Sequence, residues 1–277
     1  MALPSAVVDA LRCSICGERV ESLERMLRCP RRHTFDLAKQ GYVNLLHAKV
    51  PAGTADTAEM VAARAEFLGA GHYAGLAERL ADRAAALLPS GLVVDAGAGT
   101  GYYLARVLDE ASGATGLALD VSALALRRAA RAHDRLGAAV WNLWSPWPVA
   151  SGSVSLLLNV FAPRNANEFH RVLRPGGRLL VVSPRPAHLR ELAAVVDLLD
   201  VDGRKDERLG TALAGGFELV SREEHTQRMT LSPADVRRAV LMGPNAHHPE
   251  RLTRLGDVRE PLEVTASFLL SEYRRTP

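Results

Sequence analysis

The stretch LVVDAGAGTGYYLARVL, Leu92 to Leu108, constrains this chain more than any other. A short apolar run meets Asp95, glycines follow at 97, 99 and 101, and a helical pattern begins at once. Strand, glycine-rich turn and helix start are the layout that cradles a nucleotide-like ligand at the carboxyl end of a parallel strand. Two familiar versions are excluded. The dinucleotide pattern G-x-G-x-x-G fails because Tyr102 stands where its third glycine would fall, and no lysine follows to make a phosphate loop.

The flanking segments extend the pattern. ATGLALDVS reads as a second strand ending at Asp120, where a carboxylate can accept both hydroxyls of a ribose. AAVWNLWSPWP offers Asn142 after a third strand. SVSLLLNVFAP reads as the fourth strand, and FHRVLRPGGRLLVVSP as helix, turn and fifth strand. FELVSREEHTQRMTLS and LEVTASFLLSEYRR supply two more, with a helix from Pro233 between them. The series Asp95-x-Gly97-x-Gly99-x-Gly101 with Asp120 resembles class I S-adenosylmethionine (SAM) methyltransferases. That resemblance implies an α/β fold of Rossmann-like type with a seven-stranded sheet, and cofactor contacts at Asp95, Gly97, Gly99, Gly101, Asp120 and Asn142. The glycines then let the backbone approach the methionine part of the cofactor.

In front of this domain stands CSICGERVESLERMLRCPRRH, with Cys13, Cys16, Cys29 and His33 spaced as Cys-x2-Cys-x12-Cys-x3-His. These are the only cysteines. Three thiols and an imidazole are a zinc donor set, and a segment too short for a core of its own draws its folding energy from the metal. Four protein ligands leave no open position, so the expected site is structural. Gly17 suits the tight turn after the first pair, and Val20, Leu23 and Leu27 can pack beneath it.

The formal net charge is +3, with eight Lys/Arg against five acids in residues 1–50, which leaves 26 of each in the remainder. The excess therefore lies with the metal knot, and Arg28, Arg31 and Arg32 fall on its second ligand pair, as a phosphate-binding platform would have them. No run of eighteen apolar residues and no secretory pattern is seen, so a cytoplasmic protein without a membrane span is expected. The domains expected are residues 1–50 for zinc and RNA recognition, 51–90 for a helical linker and cofactor lid, and 91–277 for the methyltransferase. A loop with Pro51 and Gly53 marks the first boundary, and Asp56 with Glu59 reads as a capping box before the helix AEMVAARAEFL. In the next helix Leu76, Leu80, Ala84 and Leu87 share one face.

The methyl acceptor is narrowed by elimination. Attack at pyrimidine C5 needs a cysteine nucleophile, and all three are committed to zinc. The common ribose 2′-O enzymes use a tetrad with two lysines, whereas this chain has only Lys39, Lys49 and Lys205, and just one of these lies beyond the glycine turn. The Asn/Asp-Pro-Pro-aromatic loop of exocyclic-amine enzymes is absent from Asn159-Val-Phe-Ala-Pro163. A ring nitrogen or a small-molecule acceptor remains. A small-molecule methyltransferase and a non-enzymatic zinc RNA-binding protein stand as alternatives.

The order of motifs is similar to that of the bacterial 23S rRNA guanine-N1 methyltransferases over nearly the whole chain. It runs from the Cys-Cys-Cys-His knot through FDLAKQGYVNLL, AEMVAARAEFLGAGHY, DAGAGTGYY, LDVS, FAP and PGG to PRPAHL. The resemblance implies SAM and one structural zinc as cofactors, a 23S rRNA hairpin at the exit tunnel as substrate, and a homodimer. It also implies Gly99 and Thr100 at the cofactor, with Tyr73 and His188 closing over it. The branch that confers resistance to macrolides such as tylosin is favoured, with guanine 748 rather than 745 as target. One departure is Asn159, where an arginine is expected. For proton removal from N1, His170, Glu168 and Asn159 are the candidates near the fourth strand. Trp141, Trp144 and Trp147 are candidates for stacking on a base, with core packing expected for at least one. His247 and His248 beside Pro249 read as loop rather than as a second metal site.

Overall fold

A computed structural model describes residues 2–47, 55–196, 210–248, 252 and 255–277. The loop with Pro51 and Gly53 lies outside the described residues. Helix α1 (Ser5–Ala10) is followed by three short antiparallel strands, β1 (Glu21–Leu23), β2 (Met26–Arg28) and β3 (Thr34–Asp36). Together with the knot they form a ribbon. The chain then re-enters the large sheet as β4 (Tyr42–Asn44), crosses it with α2 (Ala58–Gly69) and α3 (Ala74–Leu87), and begins the alternation β5 (Ser90–Ala96), α4 (Tyr102–Glu110), β6 (Gly113–Asp120), α5 (Ala123–Ala129), β7 (Leu136–Val140). It continues with β8 (Val154–Val160), α6 (Ala166–Val172), β9 (Leu173–Pro184) and α7 (Arg190–Val195). The long hairpin strands β10 (Phe217–Leu231) and β11 (Leu262–Arg275) enclose α8 (Pro233–Leu241) and a 3-10 turn at Pro244–His247.

The sheet order is β10-β11-β9-β8-β5-β6-β7-β4. The seven expected strands are all present, and the eighth, β4, pairs in parallel with β7 through Tyr42–Ala138 and Asn44–Val140. Strands β4 to β9 run parallel, and the β10–β11 hairpin is antiparallel to β9. Strand β5 has β6 on one side and β8 on the other, so the connection reverses at its carboxyl end, where such sheets form a ligand crevice.

Alternate residues serve two cores because both sheet faces are covered. Val93, Leu156 and Leu158 face the layer of α3, α4 and α8, whereas Val94, Leu157 and Leu179 face α1, α6 and the ribbon. Each such fully buried Leu or Val contributes about 1.5–3 kcal/mol relative to exposure. Leu76, Leu80 and Ala84 are buried on α3 as its pattern predicts, with Leu87 partly buried beside them. The start of α2 differs from expectation: Thr57, not Asp56, caps it, accepting from the Met60 amide at 3.2 Å. Asp56 is turned toward Arg64 of the same helix and forms an ion pair with it.

Candidate functional site

The metal centre forms as the spacing predicts. Gly17 adopts φ +75° after the first cysteine pair, and Arg32 adopts φ +64° to bring His33 back over Cys29. Backbone bonds fix the two turns, from the Cys13 amide to the Glu18 carbonyl and from the Cys29 amide to the His33 carbonyl. The donor atoms of Cys13, Cys16, Cys29 and His33 lie within 4.8 Å of one another. His33 Nδ1 is 3.4 Å from the sulfurs of Cys13 and Cys29, and the sulfurs of Cys16 and Cys29 are 3.7 Å apart, with all three thiols free. Tetrahedral zinc, with Zn–S about 2.3 Å and Zn–N about 2.0–2.1 Å, has edges of about 3.5–3.8 Å. The cage fits zinc. Val20 and Leu27 are buried beneath it. Among the described residues no other group of three or more such ligands occurs.

At the glycine turn the three glycines have different reasons to be glycine. All take positive φ, at +88°, +54° and +79° for Gly97, Gly99 and Gly101. A Cβ on Gly97 would meet that of Ala162 at 2.3 Å, and one on Gly101 would meet the Ala129 backbone at 2.9 Å. Only Gly99 faces a movable group, the Arg64 guanidinium at 3.2 Å. The turn is stitched to its neighbour strand by bonds from the Gly97 and Ala98 amides to the Leu119 carbonyl. Asp120 reaches back across it: one carboxylate oxygen accepts from the Gly99 amide and the other from the Ser122 amide, each at 2.8 Å. Each oxygen keeps a lone pair for a further donor. Thr100 is buried within the turn, and Asn142, two residues past β7, holds the next bend by accepting from the Trp144 amide at 3.0 Å.

Asp95 supplies the test of the cofactor. It is buried, and its Oδ1 has no hydrogen-bond partner among the described residues. Burial, aided by the nearby Asp120 charge, pushes its carboxyl up to about 8. A buried, unmatched carboxylate beside a glycine turn is what a cationic ammonium group would satisfy. The methionine ammonium of SAM fits this chemistry, and the Asp120 carboxylate fits the ribose.

An aromatic wall closes the site. The Tyr73 hydroxyl lies 3.3 Å from His188 Nε2, which joins the start of α3 to the turn after β9. His188 Nδ1 accepts from the Ser267 amide at 3.2 Å, so in the neutral ring the proton sits on Nε2 and is donated to the Tyr73 oxygen. Burial holds the imidazole down at about 4 and pushes the Tyr73 phenol up. Phe268 packs edge-on against Tyr73 with ring centres 5.0 Å apart. Phe161, on the FAP segment, faces the same group: its ring lies 6.3–6.5 Å from Tyr73 and Tyr103 and 5.3 Å from Phe268. It is 42% exposed and takes φ +56°, a strained conformation for a bulky side chain.

The candidates for proton removal are engaged elsewhere. The fully buried Asn159 donates from Nδ2 to the carbonyls of Ala96 at 3.2 Å and Pro163 at 2.9 Å, pinning the FAP segment to β5. Glu168 binds Arg171 through both oxygens and accepts from the Trp147 amide at 2.6 Å. His170 packs edge-on against Phe217, at the start of β10. Of the tryptophans, Trp141 and Trp147 are buried, whereas Trp144 is 66% exposed and is left as the one available for stacking.

Sequence reasoning missed Arg64 and Phe161. Arg64 lies over Gly99, pairs with Asp56 and donates to the Met242 carbonyl at 2.6 Å, a contact 178 residues away in the chain. A helical Arg carries no local sign of such a partner. Phe161 was legible only as an aromatic after the fourth strand.

Comparisons with known proteins agree with this geometry. Residues 11–50 match the zinc-ribbon family model described as RlmA, N-terminal. The chain is 47% identical to the 23S rRNA (guanine(748)-N(1))-methyltransferase of Streptomyces fradiae, covering 98% of this chain and 99% of that protein. A relative from Micromonospora griseorubida, named for 23S rRNA guanine-N1 methylation, is 49% identical over 95% of this chain and 97% of its own. The crystal structure of a Bacillus halodurans protein assigned as a methyltransferase has a TM-score of 0.51 at 17% identity, covering 71% of this chain and 97% of that one, and shows the shared fold. With a zinc ribbon fused to a SAM-type glycine turn, and with relatives this similar over nearly its whole length, the chain belongs to the family of SAM-dependent 23S rRNA (guanine-N1)-methyltransferases.

Proposed function

We propose that the protein methylates N1 of guanine 748 in the exit-tunnel hairpin of 23S rRNA and thereby confers resistance to macrolides such as tylosin. The observation that carries this reading is 47% identity, across 98% of the chain, to a guanine(748)-N1 enzyme. The division of labour proposed is residues 1–50 for RNA recognition, 51–90 for a helical cofactor lid and 91–277 for methyl transfer. The first part lends α1 and β4 to the large sheet. The enzyme acts in the cytoplasm as a homodimer, with two ribbons flanking one RNA. No helix among the described residues is long and apolar enough to cross a membrane.

Bound SAM supplies a methyl group on a sulfonium, ready for in-line transfer. Asp95, once ionised, holds the cofactor ammonium, and Asp120 accepts the ribose hydroxyls on its free lone pairs. Gly97 and Gly101 shape the turn, Gly99 and Thr100 line it, and Asn142 positions the loop against adenine. Tyr73 and His188 close the site as a neutral hydrogen-bonded pair, which excludes water without placing a second charge beside the sulfonium. The target guanine leaves its stack at a cost of a few kcal/mol. Phe161 is the surface on which it lands: an exposed ring, held in a strained conformation at the rim of the aromatic wall, offers a π face at the site.

Methyl transfer from labelled SAM to protein-free 23S rRNA, followed by mapping of the modified nucleoside, tests the reading. 1-Methylguanosine at position 748 is expected; modification elsewhere, or none with SAM binding intact, overturns it. In the same assay Phe161→Ala is expected to lower transfer by about 10–100-fold, a loss of about 1–3 kcal/mol of stacking, with SAM affinity unchanged.

A further inference from the structure

Residues 51–277 are formally neutral, yet their charges are unevenly paired. Arg79, Arg83, Arg185, Arg238 and Arg274 all sit in ion pairs with carboxylates. Arg127, Arg128 and Arg131, at and just beyond the last turn of α5, are exposed and make no ion pair among the described residues. They line one side of an open groove of about 610 Å³, with Ala58 and Val61 of α2 opposite and Leu124 beside them. Glu59, the acid next to that far wall, is turned to Arg237 at 3.8 Å.

The helix dipole favours a cation in its last turn. It does not account for a third arginine past the helix end, where like charges three and four residues apart repel. An anion lying between them relieves that repulsion, and a planar guanidinium matches phosphate with two parallel hydrogen bonds.

The groove is also well placed. Helix α5 is capped by Ser122, whose amide binds the Asp120 carboxylate, and α2 carries the Arg64 that lies over Gly99. Its two walls are therefore the helices that bracket the cofactor turn. We propose that the groove between α2 and α5 is a second RNA-contacting surface, in which Arg127, Arg128 and Arg131 grip the sugar–phosphate backbone of the substrate hairpin. This rests on the rRNA reading above and adds a grip on the catalytic domain to the one expected of the ribbon. Its contacts are to phosphate, so it sets affinity and register rather than base choice.

The test uses the zinc-loaded full-length protein and a hairpin RNA carrying guanine 748. Its affinity is measured between 50 and 300 mM KCl for the wild type, for Arg127→Gln/Arg128→Gln/Arg131→Gln and for the matching triple Lys variant. Loss of three phosphate contacts is expected to reduce the slope of log affinity against log salt by about 2–3. The Gln variant should bind at least tenfold more weakly at 50 mM, and the Lys variant should retain the slope. SAM affinity should stay at its wild-type value in both. Arg131→Gln alone, outside the helix, should reduce the slope by about 1 and serves if the triple variant does not fold. A wild-type slope in the Gln variants, with the wild type still methylating the hairpin, overturns the groove and leaves the function standing. Equal losses in the Lys and Gln variants also overturn it, because charge would then not be the cause. A wild type that neither binds nor methylates the hairpin overturns both readings together.

Discussion

The ribbon and the glycine turn each hold a short irregular stretch of backbone in one shape, by opposite means. The ribbon has three strands of three residues, with Val20, Leu27 and Phe35 as its buried apolar side chains. Its form rests on four donor atoms clustered at one point. The glycine turn has no such anchor. It is wedged between residues from distant parts of the chain, Ala162 against Gly97 and Ala129 against Gly101, and tied to Leu119 by backbone bonds. One region can therefore be undone by removing a single ion, whereas the other yields only to a change of shape.

The largest expected effect follows from that contrast. Cys29→Ala, or zinc removal by a chelator, withdraws about 10–16 kcal/mol of metal binding from the ribbon. Methyl transfer to the hairpin should fall at least 100-fold while SAM affinity, read by calorimetry, moves less than threefold. Loss of SAM binding as well would break the separation of the two regions.

Within the turn, Gly97→Ala should cost about 3–4 kcal/mol in denaturant melts, since it combines a forbidden backbone angle with a clash against Ala162. Gly99→Ala, facing only the movable Arg64, should cost about 1–2 kcal/mol. Equal costs would show that the wedging described above is not what shapes the turn.

Asp95→Asn sharpens the comparison by charge. It should weaken SAM binding about 10–100-fold, the worth of a charge-assisted bond. In the wild type, SAM affinity should climb as pH rises toward about 8, because the free carboxyl must lose a proton to meet the ammonium; the Asn variant should be flat. The sign for stability is opposite. A carboxyl raised from 3.8 to about 8 binds more protons folded than unfolded, so the unliganded protein loses stability as pH rises through that window. A wild-type affinity independent of pH from 6 to 8 would remove Asp95 from the ammonium site.

The smallest effect belongs to His188. Its imidazole is depressed from 6.5 to about 4, so the unfolded chain binds the extra proton first and stability is lost as pH falls through that range. In the Asp95→Asn background, where the opposing carboxyl is gone, urea midpoints should drop by the equivalent of about 1–2 kcal/mol between pH 6.5 and 4.5. The decline should be absent in His188→Gln.

What could be read in the sequence follows the same division. The Cys-x2-Cys-x12-Cys-x3-His spacing and the Asp95 to Gly101 series are local, so chemistry fixed them in view, and the strands from β5 onward followed from apolar runs. Contacts that depend on where the chain returns were hidden. The Asn159 amide could be seen as a departure from pattern, but its bonds to Ala96 and Pro163 arise only when β8 lies beside β5. Glu168 looked available because the claim of the Trp147 amide, 21 residues away, is not local, although the pair with Arg171 three residues along the helix follows helical spacing. The cap on α2 fell one residue from its expected place because a distant demand won: Arg64, held by Met242, draws Asp56 away.

Strand β4 has a practical corollary for anyone dissecting the enzyme. The ribbon is flanked by α1, whose Val7 packs on Gly137 of β7, and by β4, which lies along that same strand. A truncation that discards residues 1–44 would thus strip a helix and a neighbour from β7. The bare strand it leaves, with all five residues buried in the intact protein, is a ready template for pairing with other chains. A stand-alone methyltransferase half made that way should precipitate, and a ribbon transplanted onto another enzyme should arrive without its footing unless both flanking pieces travel with it.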